Sequence, residues 1–294
     1  MKKNVIVVTG GAGFVGSNLI NLLIKKTKFN LISIDNYSSG LKKNHIKSNR
    51  VKYIKGETKN IFQLLKKPKK IVSIFHFGEF ARIYQSFLKM NECISSNTVG
   101  SNEVFNFCLK NKIKLIYSAT SASLGNRGND KNLSPYAFTK SKNLELLENL
   151  KKWFKFRYEV IYFYNVYGPN QICQGKMATV IGIFENCYKK NKPLPVVRPG
   201  NQTRRFTHIN DTVEICYMAW RKNLCRHYSI ANHKTYSILE VAKMFNSKIN
   251  FLSKRPGERY ASALTNMNLS NKVYKYFGKI NLKAYIENFT KKIS

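Results

Sequence analysis

The chain has 294 residues, of which 43% are hydrophobic, so it is long enough to bury a full core. No apolar run approaches the ~18 residues of a membrane span, and the run near the amino terminus is too short for a secretory leader, so we expect a cytoplasmic protein without membrane contact. The formal net charge of +36 suggests an anionic partner, although the lysines are spread along the whole chain.

The spacing of cysteines and histidines argues against metal sites and disulfides. The six cysteines form no C-x-x-C pair, and the five histidines show no ligand spacing. We therefore expect reduced, packed thiols and no metal. Because Lys, Asn, Ile, Tyr and Phe are abundant together, the positive charge fits a compositional bias better than a nucleic-acid-binding face.

The first motif is a β-branched run at positions 5–9 that ends in a glycine-rich stretch at positions 10–16. Apolar residues then recur at helical spacing, so the pattern predicts a strand, a tight turn and a helix. Gly10 would permit the turn, Gly13 would let a pyrophosphate approach, and Gly16 would let the helix pack close to the strand. The stretch is typical of a dinucleotide-binding turn.

An acidic residue follows the second predicted strand, at positions 31–34. Asp35 lies about 20 residues beyond the turn, where a carboxylate can accept both ribose hydroxyls of NAD. A 2′-phosphate would meet a like charge there, and no arginine follows directly. The sequence therefore predicts NAD in preference to NADP.

Strand and helix patterns alternate through about the first 165 residues, which predicts a doubly wound parallel sheet with helices on both faces. Further strands are expected at 51–54, 71–77 and 113–117, and one long helix from about 86 to 110. Polar residues follow two of these strands, at 78–79 and 118–123. They should lie at the sheet edge where a cofactor binds.

Ser134 and Pro135 form a typical helix start, with an N-cap followed by proline in the first helical position. Tyr136 then lies in the first turn, and Lys140 lies one turn later on the same face. A nearby ammonium, the helix terminus and a bound nicotinamide cation could together bring the tyrosine pKa from near 10 to about 7. Tyr136 is thus a candidate acid and base.

With these motifs in order, the chain resembles the extended short-chain dehydrogenases/reductases of the nucleotide-sugar epimerase/dehydratase group along nearly its whole length. The segments 97–100, 164–169, 204–211 and 255–258 match as well. The resemblance implies a Rossmann-type α/β fold with a smaller C-terminal lobe, and catalytic roles for Thr120, Tyr136 and Lys140. The cofactor-binding residues it implies are Gly10, Gly13, Phe14, Val15, Gly16, Asp35, Asn36, Glu57, Thr58, Phe77, Gly78, Glu79, Asn97, Ser118, Tyr136, Lys140 and Tyr164.

The resemblance also implies a nucleotide-diphospho-sugar substrate. Asn165 and the two arginines Arg204 and Arg255 would hold its diphosphate, and the small Ser262 would leave room for an N-acetyl group on the sugar. The substrate-binding residues implied are Arg82, Ser86, Asn165, Met177, Arg204, Arg255 and Ser262.

The favoured activity is a UDP-hexose 4-epimerase that acts on glucose or N-acetylglucosamine through a transient 4-keto sugar. An ADP-heptose 6-epimerase, which the loop at 174–178 also resembles, a dehydratase and a decarboxylase stay open. So do a non-catalytic NAD-binding protein and a nucleic-acid-binding protein. Related dehydratases carry Asp-Glu directly after the catalytic threonine, where this chain has Ser121 and Ala122.

The resemblance predicts a division of the chain as well. Residues 1–167 would form the NAD-binding domain, to which residues 206–232 return. Residues 168–205 and 233–294 would form the smaller lobe. The helix near 86–110 and the helix of Tyr136 would pair with their mates in a homodimer through a four-helix bundle.

Overall fold

The computed structural model describes residues 4–123, 130–257 and 273–293. Its strands are β1 (Val5–Thr9), β2 (Asn30–Asp35), β3 (Val51–Lys55), β4 (Ile71–His76), β5 (Lys114–Thr120), β6 (Tyr158–Phe163), β7 (Val166–Tyr167), β8 (Leu194–Val197), β9 (Thr203–Arg205), β10 (Thr207–His208), β11 (His227–Ala231), β12 (Thr235–Ser237), β13 (Ile249–Leu252) and β14 (Val273–Phe277). Its α-helices are α1 (Phe14–Lys26), α2 (Ile61–Leu64), α3 (Ile83–Leu88), α4 (Met90–Ile94), α5 (Ser101–Lys110), α6 (Pro135–Phe154), α7 (Val180–Lys189), α8 (Ile209–Lys222), α9 (Ile238–Lys243) and α10 (Leu282–Lys291). In this part of the chain, no helix is long and apolar enough to cross a membrane.

Eight strands form one parallel sheet in the order β14-β11-β6-β5-β4-β1-β2-β3. The strands predicted in the first 117 residues are all present. Because the strand order reverses beside β1, a crevice forms at the carboxyl ends of β1 and β4. The predicted doubly wound α/β fold is confirmed.

Buried apolar residues cover both faces of the sheet, as a parallel sheet requires. On β4, Ile74 belongs to the core that includes Phe105 of α5. Its neighbour Phe75 belongs to the opposite core, which includes Leu19 of α1 and Val213 of α8. Successive side chains of a strand point to opposite faces, so this one strand anchors both helical layers.

The prediction of one continuous helix over residues 86–110 is wrong. The chain forms α3, breaks at Lys89, forms α4, widens into a π-helical segment over Ser95–Gly100 and then continues as α5. Asn97 in the π segment directs its side chain to the backbone of Phe80. The Cα of Gly100 approaches Thr58 so closely that an added Cβ would lie 2.3 Å from its hydroxyl oxygen. Helical periodicity in the sequence does not reveal these tertiary contacts.

The smaller lobe has a core of its own, in which Phe184, Val196, Phe245 and Ile286 are buried together. The return of residues 206–232 to the main sheet is visible in β11, which pairs with β6. β14 also joins that sheet by pairing with β11, although the predicted division assigns residues 273–277 to the lobe. The chain therefore leaves the lobe once more to form the outermost strand.

A substitution at Gly16 tests how closely α1 must approach the turn after β1. A Cβ on Gly16 would lie 2.1 Å from the carbonyl oxygen of Gly10, and backbone cannot move aside cheaply. We expect Gly16→Ala to lower the free energy of unfolding by about 1–3 kcal/mol and to weaken NAD binding. Thermal unfolding and NAD titration measure both effects.

Gly13→Ala is the matched control, because a Cβ there would lie 3.1 Å from the same oxygen. It should reduce the melting temperature much less than Gly16→Ala does. Equal losses in the two variants would contradict this account of the packing of α1.

Candidate active site

A cavity of about 1630 Å³ opens at the carboxyl ends of the central strands, between the sheet and the smaller lobe. Its wall includes Gly10 and Asp35 from the sheet edge, Tyr136 from α6, and Met177 from the lobe. The predicted cofactor-binding residues line it, apart from Asn97 and Tyr164. Residues more than 150 positions apart in the sequence thus meet at one site.

The glycine-rich turn has the geometry that the sequence predicts. Gly10 has a φ of +69°, which favours glycine, and the chain then enters α1 at Phe14. The N-cap Gly13 offers no side-chain hydrogen bond to the helix, and the first turn carries no acidic residue. Amide groups at the start of α1 are therefore available to an anion such as a pyrophosphate.

Asp35 is fixed at the end of β2 and is mostly buried. Its Oδ2 accepts a hydrogen bond from the Ala12 amide at 2.9 Å, and its Oδ1 accepts one from the Tyr37 amide at 2.8 Å. Burial raises the pKa of Asp35, while these amides oppose the rise. Each carboxylate oxygen keeps a second lone pair, which can accept a ribose hydroxyl.

Glu57 and Thr58 follow β3 at the same end of the cavity as Asp35 and Asn36. Glu57 is exposed and pairs with Lys59 at 2.6 Å. Thr58 is buried against Gly100. Both residues thus lie at the cavity wall together with Asp35 and Asn36.

Tyr136 begins α6 as predicted. The Ser134 hydroxyl accepts a hydrogen bond from the Ala137 amide at 3.1 Å, and Pro135 is the first helical residue. The pKa of Tyr136 is raised to about 12, mainly by burial and also by the Glu79 carboxylate, while Thr120 and Arg82 oppose the rise. The chain alone therefore keeps Tyr136 protonated at neutral pH, so activation requires a further positive charge at this site.

Lys140 lies one turn beyond Tyr136 and is buried, with 4% of its side chain exposed. Its ammonium donates hydrogen bonds to the Glu79 carboxylate and to the Ser118 carbonyl. We predicted Glu79 as a cofactor contact and missed this ion pair. The sequence does carry a signal, because an acidic residue lies three positions after the buried strand β4 and a buried carboxylate needs a cation as its partner.

Arg82 joins the sheet edge to the lobe beside Tyr136. Its Nε donates to the Met177 carbonyl at 2.8 Å, and its Nη1 donates to the Ala81 carbonyl at 2.7 Å. No carboxylate in the described part of the chain forms an ion pair with it. The guanidinium therefore brings an uncompensated positive charge to the cavity, where it favours an anionic ligand.

Two residues predicted to hold the diphosphate, Asn165 and Arg204, line the cavity together. Asn165 has a φ of +34° and donates to the Arg205 carbonyl at 2.9 Å. Arg255 is exposed and stacks over the Tyr84 ring at 5.3 Å, outside the cavity wall formed by the described residues. The structure thus brings Asn165 and Arg204 together but places Arg255 elsewhere.

Three other predicted contact residues support the site from behind its wall. Asn97 holds the backbone of Phe80, and the Tyr164 hydroxyl accepts a hydrogen bond from Ser229 in the core at 3.1 Å. Ser86 accepts one from the Tyr136 amide at 3.2 Å. Their predicted direct contacts with ligands have no support in this geometry. Ser262 lies outside the described residues.

Comparison with known proteins decides the family. Residues 6–231 match the family model described as NAD dependent epimerase/dehydratase family. The chain belongs to this family. It is therefore an enzyme whose cofactor is NAD, as the glycine-rich turn and Asp35 predict. Across the described residues, no group of three or more His, Cys, Asp or Glu side chains could hold a metal ion.

Named members of the family are similar to this chain over most of their length. An ADP-L-glycero-D-manno-heptose-6-epimerase of Brachyspira hyodysenteriae is 29% identical over 81% of this chain and 79% of its own. A putative UDP-glucose 4-epimerase of Methanocaldococcus jannaschii is 26% identical over 87% and 88%. The structure of a UDP-N-acetylglucosamine 4-epimerase from Methanobrevibacter ruminantium, in complex with UDP-N-acetylmuramic acid, has a TM-score of 0.83 at 23% identity and covers 100% of this chain and 98% of its own.

Ser86 allows a test of how Tyr136 is held. Its hydroxyl accepts from the Tyr136 amide and donates to the Ile83 carbonyl at 2.6 Å. Ser86→Ala would leave the Tyr136 amide at the start of α6 without this acceptor, so we expect a loss of about 1–2 kcal/mol in the free energy of unfolding. Denaturant unfolding measures it. Ser141→Ala, also on α6 but farther from its start, is the control and should change stability little. Equal losses of unfolding free energy in the two variants would refute the supporting role of Ser86.

Proposed function

We propose that the chain is a UDP-hexose 4-epimerase that acts on UDP-glucose and UDP-N-acetylglucosamine. The observation that carries the proposal is that Thr120, Tyr136 and Lys140 meet at the wall of one cavity, with Lys140 one helical turn beyond Tyr136. A hydroxyl pair at such a place can bind a sugar hydroxyl and transfer its proton. The two 4-epimerases among the similar proteins support the choice of reaction.

The proposed roles follow from the positions of the side chains. The glycine-rich turn and Asp35 would hold NAD, which would supply reversible hydride transfer at the sugar carbon. Thr120 orients the reacting hydroxyl, and Tyr136 removes its proton and later gives it back. Asn165 and Arg204 bind the diphosphate at the other end of the cavity, where a guanidinium suits phosphate oxygens.

The residues beside Thr120 support epimerisation rather than elimination. Dehydration needs an acid and a base at the sugar, but Ser121 and Ala122 are buried and cannot provide carboxylate chemistry. The carboxylate of Glu79 lies nearby and already accepts a hydrogen bond from the Lys140 ammonium. We therefore do not expect a 4-keto-6-deoxy sugar to accumulate.

An ADP-heptose 6-epimerase is the second candidate. The loop at 174–178 lines the cavity through Gln174, Gly175, Lys176, Met177 and Ala178. This loop carries the resemblance to those enzymes, and one of them is 29% identical to the chain. A panel of UDP-, dTDP-, GDP- and ADP-sugars, with products resolved by NMR, distinguishes the two. Turnover of ADP-heptose alone would replace our proposal.

Tyr136→Phe tests the chemistry directly. The variant removes the hydroxyl but keeps the ring, so turnover should fall by the ~10² to 10⁴ that acid-base catalysis contributes, while NAD binding survives. Tyr217→Phe, a surface substitution on α8, should leave both unchanged. Near-normal turnover in Tyr136→Phe would contradict the proposed role. NAD binding without turnover of any sugar in the native chain would instead favour a non-catalytic protein.

We also infer a homodimer through a four-helix bundle. Large apolar side chains stay exposed along α3, α4, the π segment and α6, among them Leu88 at 60%, Met90 at 54% and Val99 at 48%. Since α3 and α4 pack against α6, we infer that these side chains form one surface. A contiguous apolar surface of this kind marks a binding site, and a second copy of the chain would cover it.

Met90→Asp should convert the dimer to a monomer, because a charge would enter the apolar surface that the two copies share. Asp is favourable at the start of α4, so the helix itself should persist. Sedimentation analysis measures the mass. Leu224→Asp, at an exposed position after α8, is the control and should leave the dimer intact. A dimer that survives Met90→Asp would rule out this interface.

A further inference from the structure

The buried carboxylate of Glu79 is the most highly connected charged group of the site. Only 2% of its side chain is exposed. Its Oε1 accepts hydrogen bonds from Ser101 at 2.8 Å, Tyr117 at 3.0 Å and Asn143 at 3.2 Å. Its Oε2 accepts one from the Lys140 ammonium. Donors from α5, β5 and α6 thus converge on one side chain beside the cavity.

A second chain of hydrogen bonds reaches Glu79 from the glycine-rich turn. The Thr9 hydroxyl oxygen accepts from the amides of Phe77 and Gly78, so its own hydrogen must go to Nδ1 of His76 at 2.7 Å. Nε2 of His76 then carries the proton and donates to Ser101 at 3.0 Å. Burial lowers the pKa of His76 to about 4, which agrees with this neutral form.

The hydrogens along the chain Thr9, His76 and Ser101 all point toward Glu79. Ser101 receives from His76 and passes its own hydrogen to the carboxylate, so the chain from Thr9 to Glu79 has a single direction. Hydrogen bonds in such a chain polarise one another and hold their acceptor firmly. The arrangement fits an ionised carboxylate with a fixed position, and a neutral acid would have to break one of these contacts.

We infer that Glu79 is a positioning residue of the catalytic centre, which holds the Lys140 ammonium in place and sets the electrostatic field at Tyr136. The inference rests on the proposed function, because it assigns catalytic work to Tyr136 and Lys140. Lys140 is held between Glu79 and the Ser118 carbonyl. Its remaining hydrogen is free to face the cavity.

Other charged and titratable groups also act on Tyr136 and Lys140. Tyr136 is also influenced by Arg82 and Cys93. Lys140 is influenced by Cys93 and lies 4.5 Å from the centre of the Tyr117 ring. Burial raises the pKa values of Cys93 and Tyr117. Since these two stay neutral near pH 7, Glu79, Lys140 and Arg82 determine the local charge.

Loss of the Glu79 charge should lower the pKa values of Tyr136 and Lys140. A nearby negative charge makes every neighbouring group hold its proton more strongly, and Glu79 raises the pKa of both Tyr136 and Lys140. Without that charge, both groups should lose their protons at lower pH. Activity should rise with pH as Tyr136 loses its proton and fall as Lys140 loses its charge. Both limbs of the pH profile should therefore shift in the same direction, to lower pH.

The experiment compares the NAD-loaded native protein with Glu79→Gln, which keeps the shape of the side chain and removes its charge. We expect the whole pH profile of kcat/KM to move to lower pH by about 1 unit or more. Tyrosinate absorbance, with Tyr136→Phe as the blank in each background, should show the same shift for Tyr136. This second readout needs no substrate, so it stands even if the proposed sugar specificity fails.

Glu145→Gln is the matched control, because Glu145 lies on α6 in an exposed pair with Lys142 and should leave both readouts unchanged. Glu79→Asp keeps the charge but withdraws it from Lys140. It should lower kcat by about 10- to 100-fold at every pH and move the profile less than Glu79→Gln does. It also provides the test if Glu79→Gln does not fold.

An unshifted profile and tyrosinate titration in folded Glu79→Gln would overturn the inference. Native kcat in Glu79→Asp would overturn it as well, since the position of the carboxylate would then be immaterial. An equal shift in Glu145→Gln would show that the effect is a general response to charge and would also refute the inference.

Discussion

The active site depends on the reversal of strand order at β1. The chain leaves β1 toward β2 on one side, while β4 lies on the other, so the loops after these strands diverge and leave a crevice at the carboxyl edge of the sheet. The glycine-rich turn, Asp35 and the loop with Glu79 all begin at that edge. Their proximity follows from the parallel direction of the strands, whatever their distance along the sequence.

Because the charged side chains of the site are buried at this edge, the balance of their charges is the second constraint on the active site. Tyr136, Lys140 and Glu79 lie where water is largely excluded, so each charge acts strongly on the others. The chain balances the Lys140 ammonium with the Glu79 carboxylate and leaves Arg82 without a carboxylate partner within the described residues. Burial, together with the Glu79 carboxylate, keeps the proton on Tyr136 in the protein alone. The positive nicotinamide ring of NAD would favour the loss of that proton, and the Arg82 guanidinium favours an anionic ligand.

The smaller lobe contributes both backbone and side chains, among them Arg204, to the wall of the site. The Met177 carbonyl binds Arg82, and the loop around it forms the wall opposite the sheet. The lobe is nevertheless tied to the sheet, because the chain returns from it to form α8 and β11 and then again to form β14. These crossings connect both walls of the cavity to the same sheet.

The sequence by itself determined the features that depend on local pattern. Alternating apolar runs identify the strands, the glycines identify the turn, and Ser134 with Pro135 identifies the start of α6, because each of these reflects contacts between near neighbours in the chain. It also placed Asp35 and Thr120 at one edge, because parallel strands end there together, and the resemblance to the family assigned Tyr136 and Lys140 to the same site. Only the tertiary structure decided that Asn97 and Tyr164 support the core, that the helix before α5 is broken, and that β14 belongs to the main sheet. It also decided the partner of Lys140. A buried charge pairs with whichever opposite charge the fold brings within reach, and Glu79 lies 61 positions away from Lys140 in the chain.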